Sequence, residues 1–259
     1  PVASTLTAGR RAAGQLTWHA ARHSLVVFGS FLAPGSPNDT WELVDQQWVR
    51  ISAGGPTQPP ARSSQSTIYD PVRRRLVMFG GGATLNDTWA LGATDTGWVP
   101  VPSTLSPLPR YQAGMVVNPD DGSVFLIGGV NSGLATNTLL LSDAWVLRGD
   151  QWSPVDSSQV VQRSGHATVW DPANRRAIVF GGRSTVDPVN WKADTWQFDG
   201  AQLTPVFGLQ APAPRADARL VFDEREGRAL LFGGTADAGP LRDLWELRDG
   251  RWAPLATPP

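Results

Sequence analysis

A motif with a period near fifty residues runs along the chain, and it constrains the fold more than any other feature. The clearest copy is RSGHATVWDPANRRAIVFGG, Arg163 to Gly182. An arginine opens each copy, at Arg11, Arg62, Arg110, Arg163 and Arg215, with intervals of 51, 48, 53 and 52 residues. Seven residues on stands a large apolar side chain: Trp18, Tyr69, Val117, Trp170 or Phe222. Eighteen residues after the arginine comes a glycine, at Gly29, Gly80, Gly128, Gly181 and Gly233. A second glycine follows it in every copy but the first, which has Ser30. Next comes Asp-x-Trp: Asp39/Trp41, Asp87/Trp89, Asp143/Trp145, Asp194/Trp196 and Asp243/Trp245. An apolar anchor closes each unit: Trp48, Trp98, Trp152, Leu203 or Trp252.

Each unit reads as four antiparallel strands, here a to d. Asp-Pro and Asn-Pro turns (YDPVRRR, NPDDGS, WDPANRR) separate strands a and b, with the acidic or amide side chain capping local N–H groups and proline presetting φ. Strand b (LVMFGG, VFLIGG, AIVFGG, ALLFGG) is almost wholly apolar, as expected of a strand buried on both faces. Asp-Gly pairs at Asp199-Gly200 and Asp249-Gly250 mark the c–d hairpins. No helix of any length is expected. The a–b and c–d turns are short and nearly constant, whereas the b–c and d–a segments vary. In an up-down-up-down sheet that places all length variation at one end, together with the opening arginines. Loops that vary on a rigid scaffold are where binding usually sits.

Composition removes several classes of function. With no cysteine, the chain has no thiolate catalysis, no disulfide and no cysteine-ligated metal. The formal net charge is -1 and Lys192 is the only lysine, so no basic excess points to nucleic acid. No apolar run is long enough to insert in a membrane. The arginine-rich, lysine-poor usage suggests a bacterial source, with a secreted or periplasmic location slightly favoured over the cytoplasm. The chain opens at Pro1, which reads as processing or trimming, and its PVASTL segment echoes the VPSTL that follows the second unit.

The di-glycine after an apolar strand, the N/S-D-x-W element and the second tryptophan together resemble the kelch repeat. Gly80-Gly81, Asn86-Asp87-Thr88-Trp89 and Trp98 make one copy, and Gly181-Gly182 with Asp194-Thr195-Trp196 another. The resemblance implies an all-β fold, a β-propeller of four-stranded antiparallel blades. Five blades are expected in a single domain over residues 1–259, at about 11–55, 62–105, 110–157, 163–208 and 215–256. The family commonly has six or seven blades, so five units either close as a small propeller or belong to a larger one. Ser30, Leu203 and the first a–b turn depart from the pattern.

Candidate site residues follow from this placement. Arg11, Arg62, Arg110, Arg163 and Arg215 around one opening would attract phosphate or carboxylate. Their competing job is to tie blades together through backbone carbonyls or an aspartate. The Asp-x-Trp aspartates are expected to accept backbone N–H groups. His166, Tyr111 and Asp217 on the inner strands offer a polar pocket, and Ser164, His166 and Asp217 make a triad on paper, although no G-x-S-x-G turn accompanies them. In the long b–c loops, Trp191 beside Asn190, Lys192 and Asp187 suits sugar or peptide contact, and Leu140 within Leu139–Leu141 either plugs a gap or makes an apolar surface. No metal and no cofactor is expected. His19 and His23 fall at the opposite end from the loops, and a copper-radical oxidase would need a cysteine. Asn38-Asp39-Thr40 and Asn86-Asp87-Thr88 match the glycosylation pattern but fall on the structural turn.

These observations favour a non-catalytic binding module that presents its b–c and d–a loops to a protein, peptide or glycan. An enzyme, or an enzyme accessory, with a pocket at the channel mouth is the alternative, as is one part of a larger assembly with an open terminal edge. Fold alone does not choose among them.

Overall fold

A computed structural model describes residues 11, 15–30, 38–82, 84–133, 139–155, 162–186, 189–208 and 210–255. The PVASTL segment, Asp187 and the expected end points of the third and fifth units, 157 and 256, lie outside the described residues. Five four-stranded antiparallel sheets form, each with its strands in chain order, arranged as a β-propeller. The first blade is β1 (Gln15–His19), β2 (Ser24–Phe28), β3 (Thr40–Val44) and β4 (Gln47–Ser52). The second is β5 (Ser66–Asp70), β6 (Arg75–Phe79), β7 (Thr88–Gly92) and β8 (Val99–Pro100). The third holds β9 (Gly114–Val117), β10 (Val124–Ile127), β13 (Ala144–Arg148) and β14 (Gln151–Val155), with β11 (Val130–Asn131) and β12 (Leu139–Leu140) as a hairpin between its second and third strands. The fourth holds β15 (Ala167–Asp171), β16 (Arg176–Phe180), β19 (Thr195–Phe198) and β20 (Leu203–Val206), with hairpin β17 (Arg183–Val186) and β18 (Val189–Trp191). The fifth holds β21 (Arg219–Asp223), β22 (Arg228–Phe232), β25 (Leu244–Arg248) and β26 (Arg251–Leu255), with hairpin β23 (Thr235–Ala236) and β24 (Gly239–Pro240). The sole helical turn described is a 3-10 turn at Ala20–Arg22.

The innermost strands β1, β5, β9, β15 and β21 stand side by side in that order. Strand b carries most of each blade's core: Leu76, Val77, Met78 and Phe79 in β6, and Val124 to Ile127 in β10, are buried throughout. This follows from geometry. A sheet packed on both sides has no solvent face, so alternation disappears. Neighbouring blades lock by edge-on aromatic contacts, Phe28 with Trp98, Phe79 with Trp152 and Phe180 with Trp252, at centroid distances of 5.1 to 5.8 Å. In each pair the closing tryptophan also donates its indole N–H to a buried threonine that starts strand c of the preceding blade. These bonds are Trp98 to Thr40 at 3.1 Å, Trp152 to Thr88 at 2.8 Å and Trp252 to Thr195 at 2.8 Å. The exception explains Leu203. The third blade has Ala144 where the first, second and fourth have threonine, so no acceptor awaits an indole there. Leu203 and Ala144 instead share one apolar cluster with Trp170.

The a–b turns are fixed as the sequence implies. Asp70, Asp171 and Asp223 each accept a turn amide. The divergent first turn docks on the second blade: His19 bonds the Leu91 carbonyl, and the Arg22 guanidinium donates to the carbonyls of Gly92, Ala93 and Asp95 while pairing with Glu42. Burial pushes the Glu42 carboxyl up, but Arg22 and Ser24 outweigh it and hold it below the usual carboxylate range.

The opening arginines turn back on their own blades. Arg62, Arg110, Arg163 and Arg215 are almost fully buried. Arg110 spans both oxygens of Asp143 at 2.6 and 2.7 Å and donates to the Gly128 carbonyl at 2.9 Å. Arg62 with Asp87 and Gly80, Arg163 with Asp194 and Gly181, and Arg215 with Asp243 and Gly233 repeat this geometry, and Arg11 meets Asp39 and Gly29. Each aspartate also takes the indole N–H of the tryptophan two residues on, at 2.5 to 2.7 Å. The Asp-x-Trp aspartates therefore hold an arginine and an indole, where backbone amides were expected. The reason is reach: a carboxylate at the head of strand c lies beside the guanidinium returning from strand a. For Asp87, Asp143 and Asp194 burial alone would raise the pKa, but the arginine and the indole hold it below the ordinary value. For Asp243 the Arg215 hydrogen bond is the main depressing cause.

Removing one partner of a buried charge-assisted pair strands the other. Arg110→Met should cost about 3–5 kcal/mol in urea unfolding. The double variant with Asp143→Asn should cost less than the two single changes added together, because they share one interaction.

Candidate functional site

The central channel encloses about 420 Å³ and is lined by the inner strands of all five blades, among them Gln15, Gln65, Gln112, His166 and Asp217. Its arginine end has a repeated backbone device. In the second to fifth blades the second residue after the opening arginine, Ser64, Gln112, Gly165 or Asp217, adopts a positive φ of 53 to 63°. The amides of Gln112, Gly165 and Asp217 donate to the carbonyls of Ser64, Gln112 and Gly165, at 3.1, 3.1 and 2.7 Å. An arc of backbone bonds therefore runs around the mouth from one blade to the next. Three of the four positions carry side chains in a conformation that non-glycine residues adopt at a cost. The sequence signal is a polar, turn-prone set, Ser, Gln, Gly and Asp, at one repeat position.

Above the arc, the b–c segments of the third, fourth and fifth blades rise as hairpins. Tyr111, Ser164 and Ala216 each pair through the backbone with the first residue of a hairpin, at Val130, Arg183 and Thr235. The hairpins thus stand at the rim of the channel. Arg183 reaches across the mouth to Gln112 at 2.7 Å and to Ser164 at 3.3 Å. Trp191 on the fourth blade's hairpin donates its indole N–H to Asp237 on the fifth blade's. Leu140 and Leu141 are buried, whereas Leu139 and Val189 are exposed on their hairpins.

His166 lies between the third and fourth blades, beside Gly114 and Gly128, neither of which has room for a Cβ; at Gly114 a Cβ would stand 2.4 Å from Nε2 of the imidazole. Neither ring nitrogen has a hydrogen-bond partner among the described residues. Burial, with Arg163 nearby, lowers its pKa from 6.5 to about 3. The triad drawn on paper is not joined: Ser164 accepts from Arg183, and His166 bonds neither Ser164 nor Asp217. Tyr111 meets the third hairpin through its backbone. Among the described residues no three histidine, aspartate or glutamate side chains converge to share a metal ion. No described helix is long and apolar enough to cross a membrane.

No protein-family model matches the chain. It is 28% identical over 248 residues to adagio-like protein 2 of Oryza sativa subsp. japonica, covering 83% of this chain and 37% of that protein. With adagio-like protein 1 of the same plant it is 26% identical over 248 residues, covering 83% of this chain and 38% of that protein. The chain spans a little over a third of the length of these curated relatives. The five four-stranded blades make a β-propeller. It is consistent with a kelch-repeat-like family. A propeller of this kind is consistent with a protein-interaction surface, and the arginines, which repeat in every blade, serve its construction.

The buried imidazole gives the fold a pH dependence. Folded His166 stays neutral down to about pH 3, while the unfolded chain binds a proton near 6.5. Stability therefore falls as pH drops below about 6.5, by up to about 1.4 kcal/mol per pH unit for this group, and stops falling on its account near 3. Urea unfolding at pH 7 and pH 5 should show His166→Leu losing less stability than the parent between the two. Equal losses would mean that the imidazole is hydrated in the folded state.

Proposed function

We propose that the chain is a non-catalytic binding module, and that the hairpins of blades three to five receive an extended segment of a protein or peptide. The observation that carries this reading is the asymmetry of the rim. The second blade crosses from b to c in a few residues, whereas blades three, four and five each build a hairpin whose base is tied to the inner strand. Length spent on paired backbone, rather than on loose loop, yields a surface already ordered before a partner arrives, which lowers the entropy lost on binding. Leu139, Val189 and the half-buried Trp191 place apolar groups on it, and Arg183, Asn190 and Asp237 place polar ones beside them. An aromatic side chain flanked by hydrogen-bonding groups suits peptide contact. Loop-face recognition also agrees with a buried imidazole that bonds neither Ser164 nor Asp217.

A displayed random peptide library, selected on the 259-residue chain, tests the reading. Selected peptides should bind Leu139→Ser/Val189→Ser at least tenfold more weakly, with an unchanged melting midpoint because both side chains are exposed. Peptides that bind this variant and the parent alike would place the binding surface elsewhere.

A further inference from the structure

Every blade ends on an outer strand with one free edge, and such an edge is a template for pairing with another strand unless something blunts it. In four blades proline does so. Pro100, Pro154, Pro205 and Pro254 stand opposite the Asp-x-Trp tryptophans Trp89, Trp145, Trp196 and Trp245. The first blade has Arg50 opposite Trp41 instead, and its outer strand β4 holds no proline. At six residues β4 is also the longest strand described, against two residues in β8.

The register shows which groups this leaves open. Strands β3 and β4 join through a two-residue turn, Asp45 and Gln46, with φ of 48 and 64°. The residues flanking such a turn, Val44 and Gln47, exchange both ladder bonds, and bonding alternates from there. Val49 therefore points its backbone groups at β3, whereas Trp48 and Arg50 point theirs outward. The irregularity in this ladder lies beyond Arg50, between the partners of Thr40 and Trp41. The same alternation turns the closing tryptophan's amide outward in the next two blades, where a side chain takes it. Gln58 accepts from Trp98 at 2.9 Å and Ser103 from Trp152 at 2.8 Å. Two residues on, the proline has no N–H to offer. The outward amides of Trp48 and Arg50 have no partner among the described residues. A charge can also guard an edge, but the Arg50 guanidinium lies over the Trp41 ring, 5.8 Å from its centroid, and so stays on the face of the sheet.

We propose that β4 is a docking edge for a second copy of this chain, whose own β4 pairs with it antiparallel about a twofold axis at Val49. The strand complements itself in this register. Trp48 meets Arg50 of the second copy on each side of the axis, and each pair exchanges backbone bonds through the groups that point outward. The two guanidiniums sit diagonally, each beside a tryptophan, so like charges do not stand opposite each other. On the axis the two Val49 side chains, 45% exposed in the single chain, meet at a non-hydrogen-bonded pair, where side chains come closest. The contacts between blades are directional, whereas an antiparallel edge can satisfy a copy of itself. Pairing one short strand buries less than the roughly 1,200 Å² of stable complexes, so the dimer forms only at high protein concentration. The edge is separate from the hairpin rim of the third to fifth blades, so a dimer displays that rim twice.

Sedimentation over a concentration series should show monomer giving way to dimer. The absence of cysteine permits a sharper test. Val49→Cys places two thiols across the axis at a Cα separation of about 4.5 Å, within disulfide reach. Val99→Cys is the control, since Val99 holds the same repeat position beside Pro100 and is 51% exposed. Under mild oxidation Val49→Cys should give covalent dimer at least tenfold faster. Adding Arg50→Pro should lower its rate to that of the control without moving the melting midpoint, because the lost N–H points away from β3. Should that proline disturb the fold, Val49→Lys, at an exposed position, sets two ammonium groups together on the axis and should leave a monomer where the parent is a dimer. A parent that stays monomeric, thiols that link at equal rates, or a dimer that survives Arg50→Pro and Val49→Lys alike would each overturn the proposal. Library peptides that bind a monomeric parent but not Arg50→Pro would assign the edge to a foreign strand and overturn the second copy.

Discussion

The rest of the structure hangs on one corner, made by an arginine at the start of strand a, the carbonyl ending strand b, and an aspartate at the head of strand c. A sheet of four short strands has little to hold its ends in register beyond ladder bonds. The guanidinium supplies planar donors that grip a carboxylate with both oxygens and still reach a carbonyl, which lysine could not do. The aspartate in turn orients the indole two residues on, and so sets the tryptophan's place in the blade. The arginine's own carbonyl accepts the amide that follows the first glycine of the preceding blade. A single residue therefore fixes its own blade and its register with the one before. Desolvating both ions is costly, and the geometry offsets that cost because every donor that faces inward is used.

The first glycine position follows from this corner. Backbone must pass so close to the arginine carbonyl that no side chain fits on the preceding glycine, and both glycines take positive φ in the second to fifth blades. At Gly29 the carbonyl of Arg62 would lie 2.4 Å from a Cβ, so the first position is glycine even where Ser30 replaces the second.

Much of the fold was legible because these constraints repeat: five arginines, five Asp-x-Trp elements and the apolar b strands gave blade number, strand order and the end at which variation gathers. The role of the arginines was legible only as one of two jobs, since a guanidinium near an opening reads alike whether it faces a ligand or its own blade. What decided it was the aspartate some thirty residues on, a partner that spacing could not select. The site was less visible. Leu139, Leu140 and Leu141 are three identical letters, yet strand alternation turns Leu139 outward while Leu140 goes into the interior and Leu141 bonds the Gly129 carbonyl through its amide. Likewise Trp191 gave its aromatic character in sequence but not its partner, because Asp237 belongs to the next blade's hairpin. Hairpins inside variable segments are set by pairing across loops, and a single sequence carries little trace of that.

The bonds between blades also have a direction. The indole donor always comes from the later blade and the threonine acceptor from the earlier, and the glycine amide always points forward to the next arginine. An array with such polarity can be extended at an end only by a unit in the same sense, so two like faces cannot satisfy each other's backbone groups. The replacement of both members of one lock, Ala144 with Leu203, shows that a local departure stays local: the neighbouring locks at Thr88 and Thr195 are intact. Each interface can therefore vary in chemistry while the arginine corner holds the blades in register. The hairpins of the third, fourth and fifth blades could then differ from one another without disturbing the channel wall beneath them, which is the property a recognition surface built on repeats requires.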